Sequence, residues 1–326
     1  MKLHAVCDAA EELAVRYGRF YDATNIHTDY GAMLQDPDLD AVIVATADTA
    51  HLSAAARAIE AGKHVLVEKP LGTDLGEALE LKALVDRAGL VLQVGHMKRF
   101  DPGIRFARDF VRDEMGEMIA FKGWYCDSTH RYDMTDSTQP LPRRADPAQT
   151  QSVDPRADLA RYYMRAHGSH MVDTARFLAG KILAVRASLV ERTGIFSWFV
   201  DTEFANGAHG HLDLTVAVRM DWHEGFQIYG EHGSVLGKIH NPWYFKPADV
   251  QCFSEHDGCY HQLLDNKGHF FQLQVEGFAE AIAGVGSQTG TDIDQGIESM
   301  RAMMAIAESV RTGERVGLDE VGGAQL

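Results

Sequence analysis

Gly62-Lys-His-Val-Leu-Val-Glu-Lys-Pro70 is the stretch that decides the fold. His64 to Val67 is a short apolar run, bounded by a glycine on one side and a proline on the other. The helical pattern ahead of it starts near Thr49, places Leu52, Ala55, Ala56 and Ile59 on one stripe, and stops at Gly62, a residue that tolerates the left-handed conformation of helix ends. The same alternation continues outward. Leu3 to Cys7, Ala41 to Ala45 and Leu90 to Val94 read as strands, and the unbroken apolar run Ala41 to Ala45 suits a strand buried on both faces. Asp74 to Ala88 is a second helix, stopped by Gly89. Strand and helix in turn, from the first residue to about His96, is the signature of βαβ units and a parallel sheet.

Beyond Arg99 the pattern changes. Asp101 to Arg112 reads as a connecting helix, and Asp127 to Ala160 is a polar stretch holding Pro140, Pro142, Pro147 and Pro155, which admits a lid, an oligomer-contacting arm or plain disorder. From Leu183 to about Leu264 apolar and polar residues alternate between Gly, Asn and Asp breaks, the mark of a mostly antiparallel sheet. A closing helix pair follows, Phe270 to Ala283 and Asp292 to Arg311, ending at Gly313. The fold expected is α/β plus α+β, a doubly wound parallel sheet over residues 1–100 followed by a domain with a large open sheet over 101–326. A chain of 326 residues has the length for two such units.

Composition narrows the partners. A net charge of -16 repels phosphate backbones and anionic lipid, which disfavours nucleic-acid and membrane-surface roles and leaves a small molecule as the expected partner. Cys7, Cys126, Cys252 and Cys259 show no close-paired spacing and read as reduced thiols. With no export signal at Met1 and no apolar run near the ~20 residues a bilayer requires, a soluble cytoplasmic protein is expected.

A dinucleotide site normally opens with a strand, a G-x-G-x-x-G turn and a helix, so that the backbone can approach a pyrophosphate at the helix N-terminus. Nothing ahead of Leu3 supplies this, and the similar string Gly284-Val-Gly-Ser-Gln-Thr-Gly290 follows a helical pattern without a leading strand, as a surface loop would. Asp8, closing the first strand-like run, has two readings. It can accept hydrogen bonds from both ribose hydroxyls of an adenosine, which favours NAD over NADP, or it can cap the helix that follows.

Val67-Glu-Lys-Pro70 after Gly62-Lys-His-Val-Leu66 resembles the glucose-fructose oxidoreductase and inositol 2-dehydrogenase (Gfo/Idh/MocA) family. Asp40-Ala-Val-Ile-Val-Ala-Thr46 with His51, Val94-Gly-His-Met-Lys-Arg-Phe100, Gly168-Ser-His-Met-Val-Asp173, Tyr229-Gly-Glu-His-Gly-Ser234 and Glu308-Ser-Val-Arg-Thr-Gly313 are similar to family segments in the same order. The resemblance implies NAD-dependent oxidation of a secondary hydroxyl on a sugar, sugar derivative or cyclitol. It implies cofactor contacts at Asp8, Thr46, His51, Glu68, Lys69 and Met97, and a homodimer or homotetramer built through the C-terminal sheet. Against the family pattern the chain starts at what looks like the second strand. Since the first strand of a doubly wound sheet is central, weaker pyrophosphate affinity is expected.

Hydride transfer from an alcohol requires a group that takes the hydroxyl proton. Lys69, at the C-terminal end of a parallel strand, stands where such sheets place their ligands, although a solvated surface lysine is the equal reading from the residues alone. The resemblance adds a cis Lys69–Pro70 bond that aims the amine, and a role for His170 in holding or deprotonating the hydroxyl. Gly168 and Ser169 read as a helix start, with Met171, Val172, Ala175 and Leu178 buried and His170 and Asp173 together on another face; a core histidine satisfied by a hydrogen bond is the alternative. The inositol-dehydrogenase pattern within this family has an aspartate four residues before the histidine, where this chain has Ala166, a departure that bears on subgroup and substrate. Arg99, Tyr163, His167 and Asp173 complete the expected substrate contacts. Three other readings stand beside this one: a metal site from His167, His170 and Asp173 with Cys126 and His130, which fits no named zinc spacing; a ligand-sensing or oligomerising module that has lost its cofactor; and a redox-assisted glycosidase.

Overall fold

A computed structural model describes residues 1–128, 156–264, 268–285, 289–322 and 326. Most of the proline-rich stretch, with His130, and the middle of the Gly284–Gly290 string lie outside them. The N-terminal region is built from parallel strands, as the alternation predicts, but they form two sheets. β1 (Ala5–Cys7) pairs with β2 (Asn25–His27), while β3 (Ala41–Val44), β4 (His64–Val67) and β5 (Leu92–Val94) pair in that order. Among the described residues no strand joins β1 to β3.

The connecting helices are α1 (Glu11–Phe20), α2 (Tyr30–Leu34), α3 (His51–Glu60) and α4 (Leu75–Ala88). Capping fixes their ends as the sequence indicates. The Asp74 carboxylate accepts from Glu77 N at 3.0 Å, and Gly62 and Gly89 follow α3 and α4 with φ of 75° and 63°. Leu52, Ala55 and Ile59 of the α3 stripe are buried, with Ala58 in place of the half-buried Ala56.

α5 (Pro102–Asp113) is docked by its cap. Asp101, almost wholly buried, accepts from Gly103 N at 2.8 Å and Ile104 N at 3.1 Å, and also from Ala248 N at 3.0 Å, 147 residues away. Burial pushes this carboxyl up to about 6 against those three backbone donors.

β6 (Met118–Ser128) then enters a nine-stranded sheet with β7 (Ile182–Arg192), β8 (Ile195–Phe204), β9 (His209–Val218), β10 (His223–Gly230), β11 (Gly233–Ile239), β12 (Asp249–Ser254), β13 (Cys259–Gln262) and β14 (Val316–Gly317), in the order β13-β12-β11-β10-β6-β9-β8-β7-β14. All neighbours are antiparallel except β6 and β9. The inner face carries Phe121, Trp198, Val200, Leu212, Leu214, Phe226 and Ile228, all buried. It is covered by α7 (Ser169–Ala179) and α9 (Ile293–Thr312), while α8 (Phe270–Ala283) packs on the turn Met97–Phe100. No helix among the described residues is long and apolar enough to cross a membrane.

Gly168 and Ser169 do not start a helix, contrary to the expectation. The helix starts at Asp158, whose carboxylate accepts from Arg161 N at 3.0 Å, and α6 (Leu159–Tyr163) passes through a π segment, Met164–Gly168, straight into α7. Gly168 lies within the helix, and the Met164 thioether fills the space beside it, 2.3 Å from where a Cβ would stand.

Gly237 has a comparable role in the sheet. It lies directly opposite Phe226, and a Cβ on it would come within 2.3 Å of that ring, which covers the bare backbone. Gly237→Val is therefore expected to destabilise the fold by about 1–3 kcal/mol, read as a lowered urea midpoint.

Candidate active site

The carboxyl ends of β3, β4 and β5 face the N-terminal part of the long helix. After β4 the chain continues through Glu68 and the cis Lys69–Pro70 bond. Lys69 Nζ donates to the carbonyl of Ala166 at 2.9 Å, so a backbone oxygen of the π segment accepts the amine at the very position where the inositol-dehydrogenase pattern has a carboxylate. π segments depart from the i+4 ladder and often mark functional sites. A second tie, Arg165 Nε to Asp48 Oδ2 at 3.0 Å, joins the same segment to the turn after β3.

His170 lies one turn beyond Ala166, buried to 8% exposure, with its ring stacked against Tyr125 at 6.2 Å and edge-on to His96 at 6.5 Å. Burial first, then the charges of Lys69 and Lys98, hold its imidazole well below the ordinary value, so it is neutral at physiological pH. His96 is also neutral. Burial brings it down to about 4, opposed by Asp173 and helped by Arg99 and Lys69. The amine is therefore felt at both imidazoles, and the structure brings Lys69 and His170 together.

Two buried ion pairs frame these groups. Arg99 grips Asp173 through Nε, at 3.1 and 2.9 Å, and through Nη2 at 2.6 Å, while Nη1 bonds Gln295. Burial alone would raise the Asp173 carboxyl, but Arg99 and then His96 take it below its ordinary value. Lys98 bonds Glu224 across the Tyr125 ring, 4.5 Å from its centroid. Beside them His167 Nδ1 stands 3.3 Å from the Tyr125 hydroxyl and Nε2 3.2 Å from Asp127, with Tyr163 packed against its ring at 5.8 Å.

Other expected residues are placed differently. Met97 packs its side chain with Phe100 and Phe270 rather than toward Lys69. His51 turns Nδ1 to Pro70 O at 2.7 Å and Nε2 to Thr46 O at 3.1 Å, which fastens the ends of β3 and β4 to one another. Thr46 is exposed, and burial pushes the Glu68 carboxyl up against the pull of Lys69. Asp8 follows the separate β1 and accepts from Ala10 N at 2.8 Å, a local turn contact, while α1 begins after Ala10 with no side-chain cap. Arg99 and Asp173 direct their charges at each other.

Tyr125, Asp127, Lys98, Glu224 and His96 escaped the reading of the sequence as site residues. One signal was available: Phe121, Gly123, Tyr125 and Asp127 share the buried face of β6 at strand period, and an aspartate on such a face requires a partner.

Residues 1–96 match the model of the oxidoreductase family with an NAD-binding Rossmann fold, and residues 113–236 match that of the GFO/IDH/MocA C-terminal domain. The chain belongs to the Gfo/Idh/MocA family of oxidoreductases. It is 25% identical to the scyllo-inositol 2-dehydrogenase (NAD(+)) of Bacillus subtilis over 98% of this chain and 89% of that one. To the D-xylose 1-dehydrogenase (NADP(+)) 2 of Haloferax volcanii it is 26% identical, over 97% and 93%. The apo form of a levoglucosan dehydrogenase superposes with a TM-score of 0.80 at 20% identity, covering 98% of this chain and 91% of the other, a likeness of fold.

A nicotinamide cofactor is what this family implies, and its nicotinamide end fits the described residues. The three parallel strand ends, the His51 clamp and the Lys69 amine converge there, and a Cβ on Gly95 would fall 3.1 Å from the Glu68 carboxyl. No glycine-rich turn for a pyrophosphate follows a parallel strand among the described residues.

The neutral histidines set a pH dependence. An unfolded His96 takes up a proton near 6.5 and the folded one near 4, so its contribution is complete above 6.5 and is lost as pH falls through that window. Acidification from about pH 7 to about pH 4 is expected to cost roughly 3 kcal/mol through this residue. Urea unfolding across that range should show a correspondingly shallower loss in His96→Asn.

Proposed function

We propose that this chain is an NAD-dependent dehydrogenase of a secondary hydroxyl on a sugar, sugar derivative or cyclitol. In this reading residues 1–100 carry the cofactor and residues 101–326 the substrate. The observation that carries it is the Lys69 amine, anchored on the Ala166 carbonyl one turn from a neutral, buried His170. A bound nicotinamide supplies the hydride acceptor. Lys69, in its neutral form, takes the proton of the reacting hydroxyl, and neutral His170 accepts a hydrogen bond from an adjacent hydroxyl of the polyol and orients the ring. Asp173, fixed by Arg99, holds α7 in place instead of binding substrate, while Tyr163 and His167 stand for sugar contacts. Thr46 and Glu68 flank the nicotinamide end, His51 braces it, and the turn carrying Met97 closes it from β5. Asp8 at the end of β1 favours ribose over a 2′-phosphate, hence NAD over NADP.

The separation of β1-β2 from β3-β4-β5 favours a second reading, a ligand-sensing module without turnover. One experiment divides the two. With NAD and a panel of cyclitols and aldoses, the dehydrogenase reduces NAD, and Lys69→Ala lowers turnover about 10²–10⁴-fold while costing stability only the roughly 1–2 kcal/mol of one lost hydrogen bond. Turnover equal in Lys69→Ala and the parent chain removes the dehydrogenase reading. NAD binding with no turnover of any polyol supports the sensor.

The outer face of the large sheet supports self-association. Phe199, Tyr229 and Leu236, on β8, β10 and β11, are 40%, 37% and 39% exposed there. A homodimer or homotetramer is the assembly proposed. Phe199→Glu combined with Leu236→Glu should shift the chain to monomer in sedimentation or light scattering; an unchanged mass would remove this face as the interface.

A further inference from the structure

Beside the C-terminal half of α7 the chain gathers four cations. Arg99, Arg108, Arg176 and Lys181 line a depression of about 400 Å³ with Phe177, and one carboxylate, Glu298, joins the lining. Neither Lys69 nor His170 borders it. In a chain of net charge -16 this is a local excess of positive charge.

The cations are only partly neutralised, with Asp173, Glu298 and Asp292 all acting on Arg176. Arg99 has Asp173, but its Nη1 points to the neutral side chain of Gln295. Arg176 Nη1 donates to Gln295 O at 2.7 Å and Ser299 Oγ at 2.8 Å, both neutral, and its Nε is buried with no hydrogen-bond acceptor. Arg108 has no ion pair with any described residue. Its guanidinium lies over the Phe177 ring, 4.3 Å from the centroid, and the Arg99 guanidinium lies 5.1 Å from the same centroid. Lys181 Nζ stands 3.7 Å from Glu298. One ring thus holds two like charges together, an arrangement that costs energy unless an anion joins them. Burial first, then Arg99 and Arg112, push the Arg108 guanidinium down from its ordinary value, in keeping with that repulsion. Past the end of α7 Gly180 adopts φ of 93°, and no atom lies within 4 Å of a Cβ built on it, so the rim stays open.

We propose that this depression binds a small organic anion through a compact oxyanion group, phosphate or carboxylate, gripped by Arg108, Arg176 and Lys181, with Arg99 adding positive charge to the wall. Planar guanidinium forks suit oxyanions of both kinds. The volume leaves room for an organic body, with Phe177 as its apolar wall.

Calorimetric titration of the full chain with inorganic phosphate and, separately, malonate tests it, at constant ionic strength with chloride as reference. Saturable one-to-one binding of at least one of the two is expected, weakened at least about tenfold in Arg108→Gln and in Lys181→Gln and unchanged in Lys69→Ala. Phosphate alone identifies a phosphoryl ligand, malonate alone a carboxylate, and both a general oxyanion site. Absence of saturable binding by either overturns the proposal, as does equal affinity in wild type and both charge variants. Loss in Lys69→Ala with retention in Arg108→Gln would assign the anion to the cofactor end and overturn it too. Lys181 is 59% exposed, so its variant keeps the test valid should Arg108→Gln fail to fold.

Discussion

One lysine amine on one backbone carbonyl joins the two halves of the site. Lys69 comes from the end of a parallel strand and Ala166 from a π segment 97 residues later, and their 2.9 Å contact draws the helix onto the strand ends. A carbonyl is a neutral acceptor. It accepts from the amine without adding negative charge, and the environment of His170 is dominated by burial and then by cations. That is why both imidazoles stay uncharged, and an uncharged imidazole has a lone pair with which to receive a hydroxyl.

Around that contact the interior holds more charge than apolar packing would choose. Lys98 with Glu224 and Arg99 with Asp173 are all at or below 5% exposure. Removing one partner of such a pair typically costs about 3–5 kcal/mol, because the other is left buried and unpaired. Direction is what the pairs supply. Arg99 reaches from the turn after β5 to α7 and, through Gln295, to α9, so it orients the helix that carries His170.

Much of this was legible in the chain. The βαβ alternation could be read because Gly62, Gly89 and Gly313 take positive φ at helix ends and because Asp74 and Asp101 cap the helices that follow, all of them local events. Lys69 and His170 were legible through the segments that carry them. The ion pairs were not, since Arg99 and Asp173 are 74 residues apart and Lys98 and Glu224 126, and spacing encodes no such encounter. The π segment was missed for a related reason: Gly168 looks like a helix boundary by composition, while it lies inside a continuous helix with the Met164 thioether packed beside it.

The division of the parallel strands into two small sheets also bears on colloidal behaviour. Open strand edges invite pairing with a foreign chain and, from there, aggregation. Here β1 and β2 have three residues each and β3 has four, so each free edge offers only one or two ladder bonds to an intruder. Isolated strand pairs are at best marginally stable in water even when longer. The brevity of these strands thus limits how much pairing either edge can offer a foreign chain.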